Sequence, residues 1–248
     1  MSADKPLKIG LLETGLPPQE LEPHGNYPSM FERLLLGADE NLSFQHWAIL
    51  SGEIPDNVHA CDAWLITGSR HGVYEQHDWL EPLENFIRAL HQADVPMVGI
   101  CFGHQLIAQA LGGKVEKSDK GWGVSVHRYN TLESAALPSW MQDAPASFDI
   151  QCFHQDQVVQ LPATADVLAG SNFCPYGMLL YGKQALSFQG HPEFDAAYGR
   201  GLLECRGDIL GEAVVEAGMQ CVDQPIDSGQ VARWIVDFLR DRPKRSLK

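Results

Sequence analysis

The chain has 248 residues, 44% of them hydrophobic and 20% charged, enough for a sizeable core in one large α/β domain. Its formal net charge of −14 argues against nonspecific binding to nucleic acid or to an anionic membrane surface, since both attract basic patches. No apolar run approaches the roughly 20 residues of a membrane span. Six cysteines lie scattered without a C-x-x-C pair, which points to reduced thiols in a cytoplasmic compartment. The apolar run behind the N-terminal lysines is only about four residues long, with no cleavage site after it. The basic "RDRPKRSLK" at the other end reads as a solvated, fraying tail. The expected organisation is one domain over residues 1–243 and a basic tail over 244–248.

In chain order, "LKIGLLE" (Leu7 to Glu13), "FQHWAIL" (Phe44 to Leu50) and "AWLITGS" (Ala63 to Ser69) read as strands. The segment "PPQELEPHGNYP", Pro17 to Pro28, reads as a loop able to cover the mouth of a site or to serve as a passive connection. In "DWLEPLENFIRALHQA", Leu80, Leu83, Ile87 and Leu90 recur at helical spacing. This alternation predicts a mostly parallel sheet covered by helices. Next, "VGICFGHQLIAQALGG" runs from a buried strand into a helix stopped by Gly112 and Gly113. From about Gly123 to Phe194 the pattern shifts to strands and turns: "VSVHRY", "FDIQCFH", "DVLAGS" and "ALSFQGH". Helices are predicted at about Ala196 to Met219 and Ser228 to Arg240.

Gly99-Ile100-Cys101-Phe102-Gly103 follows the G-x-nucleophile-x-G form of a strand-to-helix elbow, where only small flanking residues avoid a clash. The elbow places the Cys101 sulfur at a helix N-terminus, whose dipole favours a thiolate. The other five cysteines read as small buried hydrophobes. A thiol nucleophile needs a base and a group to orient that base. In "FQGHPEF", His191 and Glu193 flank a proline, and strand alternation would send both to one side; the plainer reading is a surface turn with an incidental polar pair. The order of nucleophile, histidine and then acid disfavours an α/β-hydrolase, where the acid precedes the histidine. The Cys and His residues lack paired zinc-ligand spacing, Cys152 with His154 being an isolated couple, so no metal is expected.

"GICFGHQ", followed about 90 residues later by "GHPE", resembles the class I (triad-type) glutamine amidotransferases, over roughly Leu7 to Phe194. "GSRHGVYE", "HQDQV" and "GHPEF" look most like the GMP-synthase-like standalone members, which include γ-glutamyl peptidases. The resemblance implies a flavodoxin-like three-layer α/β sandwich with a mostly parallel central sheet. It implies Cys101 as nucleophile, His191 as general base and acid, and Glu193 as the orienting carboxylate. It also implies an oxyanion hole from the Phe102 N–H with Gly68 or Ser69, although Ser69 replaces the family's usual second glycine and leaves the second donor open. A strand-ending turn is the plainer account of Gly68-Ser69.

Gln105, His154 and Asp156 match positions that meet the substrate's amino-acid end; Gln105 as a helix cap and the other two as loop residues is the alternative. The implied reaction is cleavage of a small-molecule γ-glutamyl amide through a thioester, without a cofactor. Only about 55 residues follow Glu193, too few for a synthetase domain. Two readings follow, a glutaminase subunit that serves a separate synthetase partner and a free-standing hydrolase or transferase, and the likeness of "GSRHGVYE", "HQDQV" and "GHPEF" to standalone members favours the free-standing one. A non-catalytic binding module and a redox thiol protein are the remaining alternatives.

Overall fold

The computed structural model describes residues 5–132 and 137–241. The predicted basic tail, 244–248, lies outside the described residues. Strand β1 (Leu7–Glu13) is followed by α1 (Tyr27–Leu36), β2 (Leu42–Ala48), β3 (Ala63–Ile66) and α2 (Leu80–Gln92). Then come β4 (Met97–Ile100), α3 (Phe102–Ala110), β5 (Lys114–Lys117) and β6 (Gly123–Thr131). Strands β7 (Ser147–His154), β8 (Asp156–Gln160), β9 (Ala165–Gly170), β10 (Met178–Tyr181) and β11 (Ala185–Phe188) precede the helices α4 (Ala196–Cys205), α5 (Gly207–Leu210), α6 (Glu212–Cys221) and α7 (Ser228–Arg240).

Nine strands form one sheet in the order β2-β1-β3-β4-β11-β10-β9-β6-β7, and β5 pairs with β8 separately. The five strands from β2 to β11 run parallel, and the sheet continues antiparallel from β10 to β7. The parallel half carries the site. Side-chain alternation along these strands feeds two cores. On one face Ile9, Leu11, Leu65 and Val98 meet Phe31 of α1 and Trp234 of α7. On the other, Leu12, Trp64, Ile66 and Met97 meet Phe86 of α2 and Leu106 of α3. Helix, sheet, helix is the three-layer α/β sandwich expected of the amidotransferase-like, flavodoxin-like class.

Register brings the functional segments together. β4 pairs with β3 on one side, Ile66 opposite Gly99, and with β11 on the other, Phe188 opposite Ile100. Whatever follows β3, β4 and β11 must therefore emerge side by side at the carboxyl ends of three adjacent parallel strands, where open α/β sheets bind their ligands.

Several predicted bounds differ. β2 spans Leu42–Ala48 rather than Phe44 to Leu50, because it pairs residue for residue with β1 from Leu7↔Leu42 to Glu13↔Ala48. The chain then turns at Ile49–Ser51. β3 ends at Ile66, where the segment leaves the sheet and is held by Thr14, whose N–H donates to Thr67 Oγ1 at 3.0 Å and whose hydroxyl donates to the Thr67 carbonyl at 2.9 Å. The single helix expected over Ala196 to Met219 is three, interrupted at Arg206, whose backbone leaves helical values at φ −113° and ψ 12°, and at Gly211 with φ 81°. α1 begins inside the predicted loop, capped by Asn26 Oδ1, which accepts the Ser29 N–H at 3.0 Å. Among the described residues no helix is long and apolar enough to cross a membrane, and all six cysteines are free thiols.

Trp234 is almost wholly buried and meets Phe148 edge-on at 5.2 Å. Trp234→Ala should lower stability by about 3–5 kcal/mol in denaturant titration, through the cavity left between α7 and the sheet.

Candidate active site

Cys101 ends the β4–α3 turn with φ 52° and ψ −100°, a conformation L-residues avoid. Its backbone is clamped at both ends: its N–H donates to the Phe188 carbonyl at 2.8 Å and its carbonyl accepts the Gln105 N–H at 3.0 Å. Both flanking glycines are required. A Cβ at Gly99 would fall 2.4 Å from the Gly103 carbonyl oxygen, and one at Gly103 would fall 2.4 Å from the Ile66 carbonyl oxygen. Cys101 and His191 both line a cavity of about 530 Å³.

His191 and Glu193 meet, but not by strand alternation. β11 stops at Phe188, and the residues beyond it form a turn pinned where the His191 N–H donates to the Gln151 carbonyl at 2.7 Å. This turn sets His191 Nδ1 2.7 Å from Glu193 Oε1, with the two side chains only 5% and 0% exposed. Phe194 stacks on the imidazole at 4.1 Å with its plane 5° from parallel. Burial alone would lower the imidazole pKa, yet the Glu193 carboxylate and the Cys101 sulfur outweigh it and push His191 up to about 10.

Gly68 lies against the same ring. A Cβ there would come 2.8 Å from His191 Cε1 and 3.8 Å from Cys101 Cβ. The end of β1 approaches as closely, since a Cβ on Gly15 would be 2.6 Å from the Gly68 carbonyl oxygen. Neither the Gly68, the Ser69 nor the Phe102 backbone N–H has an acceptor among the described residues. These three N–H groups lie on the segments that border Cys101.

Gln105, His154 and Asp156 all line the cavity, but they also brace one another. Gln105 Nε2 donates to the Asp156 carbonyl at 2.9 Å, and His154 Nδ1 donates to the same carbonyl at 3.0 Å. Burial pushes the His154 imidazole down to about 3, so the ring is neutral and its Nε2 is a bare, buried acceptor. The Asp156 carboxylate accepts the Tyr74 hydroxyl at 2.9 Å, and burial raises its pKa.

Gln189 was not anticipated, although it lies in the quoted "FQGHPEF". Its Nε2 donates to Cys101 Sγ at 3.7 Å, while its Oε1 accepts from Gln105 Nε2 at 3.2 Å. Phe194 and Tyr74 also lie inside quoted motifs; nothing in their residue type alone marks them. Leu16 and Pro18 before α1, and Tyr27 at its first position, also line the cavity.

The sequence profile of glutamine amidotransferase class-I matches residues 49–201. The chain is 33% identical over 176 residues to gamma-glutamyl peptidase 4 of Arabidopsis thaliana, 69% of each chain. It is 36% identical over 138 residues to the glutamine-hydrolyzing GMP synthase of Chromobacterium violaceum, 53% of this chain but 25% of that one. Its fold matches the crystal structure of a glutamine amidotransferase from Thermotoga maritima with a TM-score of 0.69, at 18% identity over 94% of this chain and 96% of the other.

The raised His191 pKa fixes the sign of a pH dependence. A group pushed above its unfolded value of about 6.5 adds stability that is fully present below that pH and is lost as pH rises through about 10. Denaturant titrations at a series of pH values should show stability falling across that window. Glu193→Gln, which removes the main upward pull, should flatten the fall.

Proposed function

The chain belongs to the class I glutamine amidotransferase family, and on that premise we propose that it is a free-standing hydrolase that cleaves a γ-glutamyl amide through a thioester on Cys101. The observation that carries this reading is the convergence, in one cavity, of a thiol on a strained elbow and a buried imidazole paired with a carboxylate. The Cys101 sulfur attacks the γ-carbonyl carbon of the substrate. The oxyanion is received by the Phe102 N–H with that of Gly68 or Ser69, donors worth about 3–4 kcal/mol each when aimed at developing charge.

His191, protonated and held by Glu193, gives its proton to the departing amine as the C–N bond breaks. A γ-glutamyl thioester remains. Water then attacks it, His191 takes the water's proton, and glutamate leaves as the thiol is restored. Gln105, His154 and Asp156 form the wall that meets the amino-acid end of the substrate. A small-molecule γ-glutamyl peptide suits the site better than glutamine: about 530 Å³ is within the range of roughly 300–1,000 Å³ that holds far larger ligands than one amino acid. Arg70, Lys117 and Arg206 on its wall can receive a carboxylate beyond the scissile bond. Six free thiols fit a reducing, cytoplasmic setting.

A second reading, a glutaminase subunit that hands ammonia to a separate synthetase, draws on the GMP synthase relative, of which the chain matches only a quarter. One assay separates the two. Purified protein alone should release glutamate from γ-glutamyl peptides, and Cys101→Ala should abolish release. His191→Ala should lower kcat by about 10²–10⁴-fold with a smaller change in KM. Silence toward every peptide and toward glutamine, with Cys101 still readily alkylated, would support the subunit reading; silence with an unreactive Cys101 would support a binding module.

A further inference from the structure

Between β3 and α2 the chain runs through a loop, residues 67–79, that begins with the Gly68–Ser69 backbone at the thiol. Further along this loop His71, Glu75 and His77 converge. Glu75 Oε2 lies 3.3 Å from His71 Nδ1 and 2.8 Å from His77 Nε2, and the three atoms lie within 4.8 Å of one another. The spacing H-x-x-x-E-x-H is outside the paired patterns by which zinc sites are read from sequence, which explains why no metal was expected there.

The donor set and its spacing suit a transition metal. Nitrogen and oxygen ligands about 2.0–2.2 Å from tetrahedral zinc stand about 3.3 Å from one another, which both imidazole–carboxylate distances already approach. Two imidazoles with one carboxylate select zinc and similar borderline ions over magnesium or calcium, which take oxygen donors. The rings are also held in place: His77 stacks on Trp79 at 5.2 Å with planes 8° apart, and His71 meets His77 edge-on at 4.3 Å. The backbone N–H of His71 donates to Ser69 Oγ at 3.2 Å, which fixes the chain beneath its ring. The side chains of His71, His77 and Glu75 are 20%, 27% and 43% exposed, so an ion can enter without opening the fold.

We propose that His71, Glu75 and His77 form a three-ligand site for a divalent transition metal, zinc in the first place, at the rim of the cavity that holds Cys101. His71 and Glu75 both line that cavity. A bound ion ties the far part of the loop together and stiffens the segment that carries Gly68 and Ser69. Three protein ligands leave a coordination position for water or for an anionic group of an incoming molecule.

The alternative is a hydrogen-bonded trio with no affinity for metal, and the main confounder is zinc on the Cys101 thiol with His191. Chelator-stripped full-length protein carrying Cys101→Ser removes the confounder. Calorimetric titration of this variant with zinc chloride should give one ion per chain at micromolar affinity or tighter, with a rise in Tm. Adding His71→Ala with His77→Ala, or Glu75→Gln alone, should weaken binding by at least about tenfold and cancel the rise in Tm. These side chains are partly exposed, so the variants should keep the metal-free Tm. Absence of binding at millimolar zinc would overturn the proposal, as would binding by wild type that vanishes in Cys101→Ser, or affinity indifferent to the loop substitutions.

Discussion

Holding Cys101 at φ 52° costs about 1–3 kcal/mol relative to a relaxed backbone, and hydrogen bonds at both of its ends keep it there. Gly99 and Gly103 make the turn sterically accessible; the Phe188 carbonyl and the Gln105 N–H hold its two ends. Phe188 closes the neighbouring strand β11, so the same hydrogen bond that clamps the cysteine also sets where the chain leaves for His191. Gly103 in turn touches Ile66 at the end of β3, which sets where the chain leaves for Gly68. One strained residue thus links the three strand ends. Relaxing it would move the sulfur and loosen both neighbouring segments together.

Electrostatics completes what the backbone begins. The Glu193 side chain is fully buried, and a buried carboxylate is tolerable only with a partner. The His191 imidazole supplies that partner, and Phe194 covers the ring and holds its plane. The carboxylate and the sulfur outweigh the burial that would lower the imidazole pKa and push it above the ordinary histidine range. Gln189 adds a restraint on the sulfur itself, bridging it to Gln105 on α3.

Much of this was legible in the sequence, and for definable reasons. The parallel half of the sheet declares itself by short apolar runs separated by a helical pattern, and the elbow by two glycines around one thiol. The parts that were not legible depend on contacts between distant segments. β10, over "MLLY", has no polar alternation of its own and is a strand because β9 and β11 flank it. The start of α1 rests on Asn26, a cap hidden in a segment dense with proline. His191 and Glu193 meet through a turn beyond β11, whereas the alternation of a strand is what their spacing suggests in the sequence. The mutual bracing of Gln105, His154 and Asp156 through one carbonyl could not be inferred, because residue types do not reveal which backbone atom a side chain will meet. The histidine–glutamate–histidine loop was missed for a similar reason: its ligands converge through a turn of irregular backbone rather than along a regular element.

In the proposed reaction the Cys101 sulfur becomes covalently attached to the γ-glutamyl group during turnover. Intact-protein mass spectrometry of acid-quenched reactions with a γ-glutamyl peptide tests it directly. A glutamyl increment should appear within the first turnover, map to Cys101 and decay as substrate is exhausted. Glutamate release with no adduct at any time point, or an increment that maps to another residue, would contradict it.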